Sequence, residues 1–177
     1  MTITYRDARA SDFDALTANF YSYFDEFREN PGLGLVLYNQ KPTVAQELEW
    51  FSNLFGNIER GDAVATVAEE VSDSRPVVVV GMCEVRRLRP GTDMSHRGVL
   101  GISVRKEYRG KGVGTRLLEE TLRKCKGKFE IIELSVFSIN RARRLYERFG
   151  FKVYGHLPLA VKRGDQYFEE DLMYLKI

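Results

Sequence analysis

Hydrophobic residues in the first part of the chain recur at helical spacing. A short strand is predicted at residues 3–8, after which Ser11 or Asp12 offers an N-cap for a helix. Proline and glycines within residues 30–34 end this helix. Its apolar positions predict a stripe facing the core, with the alternative that part of the stripe lines a substrate pocket: Phe13, Leu16, Phe20, Tyr23, Phe24 and Phe27.

A second helix is predicted after a loop that runs to Pro42. Thr43 is followed three positions later by Gln46, which is the capping-box pattern of a helix N-terminus. Apolar residues then recur at helical spacing as far as Ile58, and Gly61 ends the helix. The two helices therefore precede most of the strands.

Strand and helix patterns alternate through the rest of the chain. A helical period begins at Val113, and a second helix over residues 141–149 is closed by Gly150. The order β, α, α, β, β, β, α, β, α, β, β predicts one α/β domain with a mixed sheet over residues 1–177. The further predicted strands are residues 63–71, 76–88, 99–104, 130–137, 151–154 and 167–177.

Composition narrows the class of protein. The 177 residues are 44% hydrophobic and 29% charged, which is typical of a folded domain. The formal net charge of +2 excludes a surface that neutralises nucleic acid throughout, so any anion site must be local. No apolar run approaches the roughly 18 residues of a membrane helix, and the charged N-terminus does not predict export. We therefore expect neither a nucleic-acid nor a membrane partner.

Cysteine and histidine usage does not predict a metal site. Cys83 and Cys125 are far apart and lack a CxxC spacing, and His96 and His156 are the only histidines, both placed in predicted loops. Cysteines used in this way suit a reducing cytosol. We therefore expect a cytoplasmic protein without a bound metal.

A basic, glycine-rich turn at residues 109–114 connects a buried strand to an amphipathic helix. The first amides of a helix lack intrahelical acceptors, and Gly110, Gly112 and Gly114 let the backbone approach a bulky oxyanion. Arg109 and Lys111 add local positive charge. The spacing matches neither a P-loop nor a dinucleotide fingerprint. The pattern predicts a phosphate-binding turn of another kind.

This turn and residues 140–151 together resemble the GNAT superfamily of acyl-CoA-dependent N-acyltransferases. Its signature R/Q-x-x-G-x-G/A is matched by residues 109–114, and its N…A…LYE+xGF segment by residues 140–151. The resemblance implies a single α/β domain with a mixed, mostly antiparallel central sheet flanked by helices, in which strands 4 and 5 splay apart. It also implies direct transfer of acetyl from acetyl-CoA to an amine in a ternary complex, without metal.

The resemblance also assigns roles to residues. Tyr146 matches the tyrosine that protonates the departing thiolate, with a packed core aromatic as the alternative. Asn140 either contacts the cofactor or only caps its helix, because it precedes Tyr146 by one position less than is usual in the family. Residues 154–167 would form a loop shaping acceptor access. The implied acetyl-CoA site comprises Ile102, Ser103, Val104, Arg109, Gly110, Lys111, Gly112, Val113, Gly114, Thr115 and Asn140.

A general base is less evident, because Val99 and Ser135 occupy the positions where some relatives carry a carboxylate. Glu84 and Glu133 are the candidates, each acting directly or through water, with solvated or ion-paired carboxylates as the alternative. Deprotonating a lysine near pH 7.5 costs about 4 kcal/mol, whereas an α-amine with a pKa near 7.7 costs almost nothing. A site without an evident base therefore favours an α-amine acceptor in a peptide, a protein or a small molecule.

Three other functions remain open at this point. A polyamine or lysine acetyltransferase would use the same site, and a noncatalytic acyl-CoA-binding regulatory module would use only its cofactor half. An RNA-binding role is disfavoured, because the aromatic residues do not interleave with basic ones. The sequence also leaves open whether the chain is a monomer or a homodimer.

Overall fold

The centre of the molecule is one sheet. The computed structural model describes residues 2–30, 32–34 and 40–177, and seven strands lie within them. These are β1 (Thr2–Asp7), β2 (Ala63–Ser72), β3 (Arg75–Arg87), β4 (Arg97–Val104), β5 (Ile131–Phe137), β6 (Lys152–Arg163) and β7 (Gln166–Lys176). Their order is β1-β2-β3-β4-β5-β7-β6, and only β4 and β5 run parallel. The predicted mixed, mostly antiparallel sheet is confirmed.

Helices cover both faces of the sheet. They are α1 (Phe13–Glu29), α2 (Val44–Glu59), α3 (Val113–Cys125) and α4 (Arg143–Arg148). Val67 on β2 packs with Leu16 and Phe51 from α1 and α2, whereas the next residue, Ala68, belongs to the cluster around Leu117 of α3. Because successive strand residues point to opposite faces, α1 and α2 lie on one side and α3 on the other.

Local sequence signals account for the helix starts. The Thr43 hydroxyl accepts a hydrogen bond from the Gln46 amide, and the Gln46 side chain accepts one from the Thr43 amide at 2.9 Å. The capping box is therefore confirmed. Asp12 is the N-cap residue of α1, but its carboxylate binds the Arg6 guanidinium at 2.8 Å and the Arg9 amide at 2.7 Å. The ion pair between Asp12 and Arg6 therefore connects β1 to the start of α1.

The expectation of a loop at residues 154–167 is wrong. β6 continues to Arg163. A turn in which Gly164 has a φ of 57° then leads into β7, which pairs antiparallel with β6. β6 is an edge strand with mostly solvent-facing residues, and two register shifts interrupt its alternation, so the sequence lacks a strand signal. His156 consequently lies in a strand and not in a loop, with Nδ1 2.9 Å from the Asp171 carboxylate.

Helix α4 is shorter than predicted. It begins at Arg143 and not at Arg141, because the Asn140 side chain accepts the Ala142 amide and holds the preceding residues in a turn. Gly150 ends the helix as expected, with a φ of 91°.

The predicted loop to Pro42 lies in part outside the described residues, which omit residue 31 and residues 35–39. No helix in the described part of the chain is long and apolar enough to cross a membrane. Nor do histidine, cysteine, aspartate and glutamate side chains gather into a metal-binding group anywhere in residues 2–30, 32–34 and 40–177.

Candidate active site

A cleft opens where β4 and β5 diverge. The two strands pair only from Arg97 with Ile131 to Val99 with Glu133, and no ladder joins them beyond that point. The space between them is a cleft of about 1100 Å³, whose walls include β4, β5, the glycine-rich turn and α4. The splayed strands expected for this fold are therefore present.

The diverging edge of β4 presents unpaired backbone groups. The Leu88 amide donates to the Arg97 carbonyl at 2.8 Å, and the Arg105 amide donates to the Val80 carbonyl at 2.9 Å. In an antiparallel ladder, bonded residues alternate, so Ile102 and Val104 direct their amides and carbonyls away from β3 and into the cleft. The Val104 carbonyl accepts the Arg109 Nε at 2.7 Å. The other groups can pair with an extended ligand in place of a strand.

The glycine-rich turn presents free amides to the same cleft. Gly110 and Gly112 have φ values of 70° and 85°, and a Cβ on either would project into open space. Gly112 is the N-cap of α3, and the first intrahelical bond runs from the Arg116 amide to its carbonyl. Amides 113–115 therefore lack intrahelical acceptors at the positive end of the helix dipole. Gly112, Gly114 and Thr115 line the cleft, which makes the turn suited to an anion.

The two cations of the turn do not both face the cleft. Arg109 lines it, but its guanidinium forms a bidentate ion pair with Glu26 of α1, at 2.5 and 2.8 Å. Lys111 is not among the lining residues, and its ammonium lies 5.9 Å from the Tyr108 ring centroid. The charge of Arg109 is therefore largely balanced within the protein.

Positive charge at the cleft comes instead from α4 and the turn before it. Arg141, Arg144 and Arg148 line the cleft and are exposed to solvent. Within the described part of the chain, none of these three guanidinium groups has a carboxylate partner. They remain available to negative groups of a ligand.

Tyr146 and Asn140 reach the cleft from the other side of the splay. Tyr146 is buried and lines the cleft, with its ring 5.9 Å from that of Phe151 in an edge-to-face contact. Burial raises the pKa of Tyr146 well above its ordinary value, so its phenol stays protonated. The Asn140 Oδ1 accepts the Ala142 amide at 2.9 Å, while the residue also lines the cleft. Asn140 therefore caps its turn at the edge of the cleft.

Glu84 lies on β3 beside the splay. It is 6% exposed, and its partner across the ladder is Gly101. A Cβ at residue 101 would lie 3.3 Å from Glu84 Oε1, so the glycine leaves room for the carboxylate. Oε1 is 3.3 Å from Arg86 Nε, and Oε2 is buried without a hydrogen bond. Burial raises the pKa of Glu84, against the opposing charge of Arg86.

Glu133, the other carboxylate candidate, is engaged elsewhere. Its oxygens bind the Arg97 guanidinium in a bidentate pair, with Nη2 to Oε2 at 2.8 Å. Glu133 lines neither the cleft nor the smaller pocket described next. The geometry separates the two candidates, because only Glu84 lines the smaller pocket, which meets the cleft at Gly101.

A second, smaller pocket of about 180 Å³ adjoins the cleft on the α1 and α2 side of the sheet. Both cavities are bordered by Gly101, Ile102 and Ser103, so they meet at the middle of β4. Sequence reasoning missed Glu47, which lines this pocket. The signal was present in the sequence, because Glu47 shares the buried face of α2 with Phe51 and Leu54 at helical spacing. The remaining lining residues are Leu16, Thr17, Asn19, Phe20, Tyr23, Trp50, Phe51, Met82 and Glu84.

Comparison with known proteins shows which family has this fold. Residues 62–153, from the turn before β2 to the beginning of β6, match the family model of the acetyltransferase (GNAT) domain. No curated protein sequence matches the chain significantly. Solved structures with low sequence identity have the same fold.

Three of these structures cover nearly the whole chain. yncA from Salmonella typhimurium, solved with its cofactor acetyl-CoA, has 19% identity and a TM-score of 0.81, covering 99% of this chain and 94% of its own. A phosphinothricin acetyltransferase from Sinorhizobium meliloti, also with acetyl-CoA, has 22% identity and a TM-score of 0.80, covering 100% and 89%. A ribosomal-protein-alanine N-acetyltransferase from Brucella melitensis has 21% identity and a TM-score of 0.78, covering 98% and 99%.

Proposed function

The chain belongs to the family of GNAT acetyltransferase domains, which use acetyl-CoA as cosubstrate, and we propose that it transfers the acetyl group to a primary amine. One observation carries this proposal. The splayed cleft and the smaller pocket meet at Gly101, so a cosubstrate in one and an acceptor in the other would meet there. Glu84 borders the pocket at that point, and Tyr146 borders the cleft.

The residues of the cleft fit coenzyme A. The free amides of the glycine-rich turn suit its diphosphate, and the unpaired backbone groups of Ile102 and Val104 suit its extended pantetheine arm. The guanidinium groups of Arg141, Arg144 and Arg148 line the cleft without a carboxylate partner in the described part of the chain, which supports further contacts with phosphate groups. When bound, acetyl-CoA supplies an activated thioester carbonyl to the junction of the two cavities.

Two side chains move the protons of the reaction. An amine attacks only as the free base, so Glu84 accepts the proton of the acceptor ammonium, directly or through water. Burial raises the pKa of Glu84, which makes the carboxylate a stronger proton acceptor than an exposed one. The deprotonated nitrogen attacks the thioester carbonyl carbon and forms the carbon–nitrogen bond. As the carbon–sulfur bond breaks, Tyr146 donates its phenolic proton to the departing sulfur, the nitrogen releases its second proton to solvent, and Tyr146 regains a proton from solvent. Glu133 is the weaker base candidate, because Arg97 already binds it.

The acceptor class follows from the base. An α-amine needs the least help in losing its proton, which favours a peptide, a protein N-terminus or a small α-amine. With Glu84 as base, alkyl amines of higher pKa become accessible as well.

The two free, buried cysteines, Cys83 and Cys125, fit the reducing cytoplasm in which we place the enzyme.

Acceptor-dependent release of the coenzyme A thiol tests the proposal. The protein is incubated with acetyl-CoA and a panel of α-amine peptides, lysine peptides, diamines and matched monoamines, while coenzyme A binding is followed separately by calorimetry. We expect tight binding and thiol release that depends on at least one amine. Tight binding without turnover on any amine would instead identify a noncatalytic acyl-CoA-binding module.

A further inference from the structure

The smaller pocket contains a buried carboxylate that the proposed reaction does not use. Glu47 is 7% exposed, and in the described part of the chain its side chain has neither a hydrogen bond nor an ion-pair partner. Burial raises the pKa of Glu47. Glu47 lines the pocket, whose walls remove part of the hydration of its carboxylate, and no side chain in the described part of the chain replaces that hydration. A positively charged group on a ligand would bind the Glu47 carboxylate and replace the hydration that it has lost.

The rest of the pocket suits the same kind of ligand. Phe20, Tyr23, Trp50 and Phe51 provide aromatic walls that can contact methylene groups and the face of a cation. No lysine, arginine or histidine is among the residues that line the pocket in the described part of the chain. The nearby cation Arg105 binds the Asn19 side chain at 3.1 Å. A carboxylate on the acceptor would therefore find no countercharge here.

The two carboxylates of the pocket belong to opposite walls. Glu47 lies on α2, which covers the sheet, whereas Glu84 lies on β3 within the sheet, and both line the pocket. Glu84 stands next to Gly101, where the pocket meets the cleft, so the reacting nitrogen belongs at that end. Glu47 is left to bind a second charged group on the same molecule.

We propose that the acceptor is a diamine-like molecule, with one primary amine presented at Glu84 for acetylation and a second cationic nitrogen bound by Glu47. This inference rests on the proposed function and specifies its acceptor class. Glu47 is a specificity-determining residue and takes no part in proton transfer. Its effect therefore falls on acceptor binding.

The test compares diaminobutane with butylamine, which has the same chain length and one nitrogen. We expect wild-type kcat/KM to be at least about tenfold higher for diaminobutane, as for a charge-assisted hydrogen bond. In Glu47→Gln this ratio falls toward one, mainly through a higher KM for the diamine. Glu49→Gln, on the exposed side of α2, keeps the wild-type ratio. An unchanged ratio in Glu47→Gln would overturn the inference.

Calorimetry of diaminobutane binding, without acetyl-CoA, provides a readout independent of turnover. We expect binding to the wild type and loss of binding in Glu47→Gln, with Glu47→Asp as a second variant that retains the charge. If the enzyme acetylates a peptide α-amine but neither binds nor acetylates diaminobutane, the inference fails and the proposed function stands. If no amine is acetylated, the proposed function fails, and the calorimetry alone decides the role of Glu47.

Discussion

Glu84 and Gly101 face each other across the β3–β4 ladder, and the absent side chain of Gly101 provides the space for the Glu84 carboxylate. This pair lies at the junction of the cleft between β4 and β5 and the smaller pocket. Because the position is buried, the pKa of Glu84 is raised, so its carboxylate binds a proton more strongly than an exposed carboxylate does.

Replacing Glu84 with glutamine should lower kcat for an alkyl amine by about 10²-fold or more, because a general base contributes at least that much. The loss should be smaller for a peptide α-amine, since its pKa near 7.7 leaves much of it already deprotonated. Steady-state assays with both acceptors measure the difference. Glu133→Gln serves as the competing variant, and the base would be reassigned if only that variant slowed turnover.

The Tyr146→Phe variant should lose about 10²-fold or more in kcat while its affinity for coenzyme A stays near the wild-type value. The change removes one hydroxyl from a ring that otherwise keeps its packing against Phe151. Thiol release measures kcat, and calorimetry measures affinity. Tyr154→Phe, on the exposed face of β6, is the matched control. Full turnover in a correctly folded Tyr146→Phe protein would exclude the acid role.

Gly112→Ala should weaken coenzyme A binding about tenfold. A φ of 85° strains alanine by about 1–2 kcal/mol, and the added Cβ would project into the open space before the helix amides. Gly127→Ala is the control, because residue 127 has a φ of 76° and lies outside the cleft. Urea denaturation should show similar destabilisation of both variants. Equal coenzyme A affinities in calorimetry would contradict an anion site at the turn.

Glu47→Gln should raise the free energy of unfolding at pH 7, because it removes a carboxylate whose charged form is disfavoured by the fold. Burial raises the folded-state pKa of Glu47 above its ordinary 4.5, so the folded protein is destabilised once the pH exceeds both pKa values. The penalty disappears as the pH falls below the unfolded-state pKa, and the advantage of the variant should shrink with it. Urea titrations at pH 7 and pH 4 measure this, with Glu49→Gln as control. An equal gain at both pH values would contradict the effect of burial.

Short-range signals account for what could be predicted from the sequence. The Thr43–Gln46 capping box, the period of α3 and the glycine-rich turn each involve residues within a few positions of one another. The forces that decide them, such as amide capping and restricted φ values, act over the same distance. They can therefore be recognised without knowing the fold.

Long-range contacts account for what could not be predicted. Arg109 and Glu26 are 83 positions apart, and only the packing of α1 against the sheet decides that this cation is paired. Glu133 likewise meets Arg97 only because β4 and β5 are neighbours in the sheet. The strand β6 lacks an alternating pattern because one edge and much of its surface face solvent, so its pairing with β7 was needed to define it.

The sequence by itself determined the mixed α/β class, the glycine-rich turn and the tyrosine at the cleft, because each depends on local backbone geometry or a short motif. Only the tertiary structure decided which charges are balanced and which are left unpaired. A carboxylate's role depends on what surrounds it, and the surroundings of Glu84, Glu133 and Glu47 are brought together from distant parts of the chain.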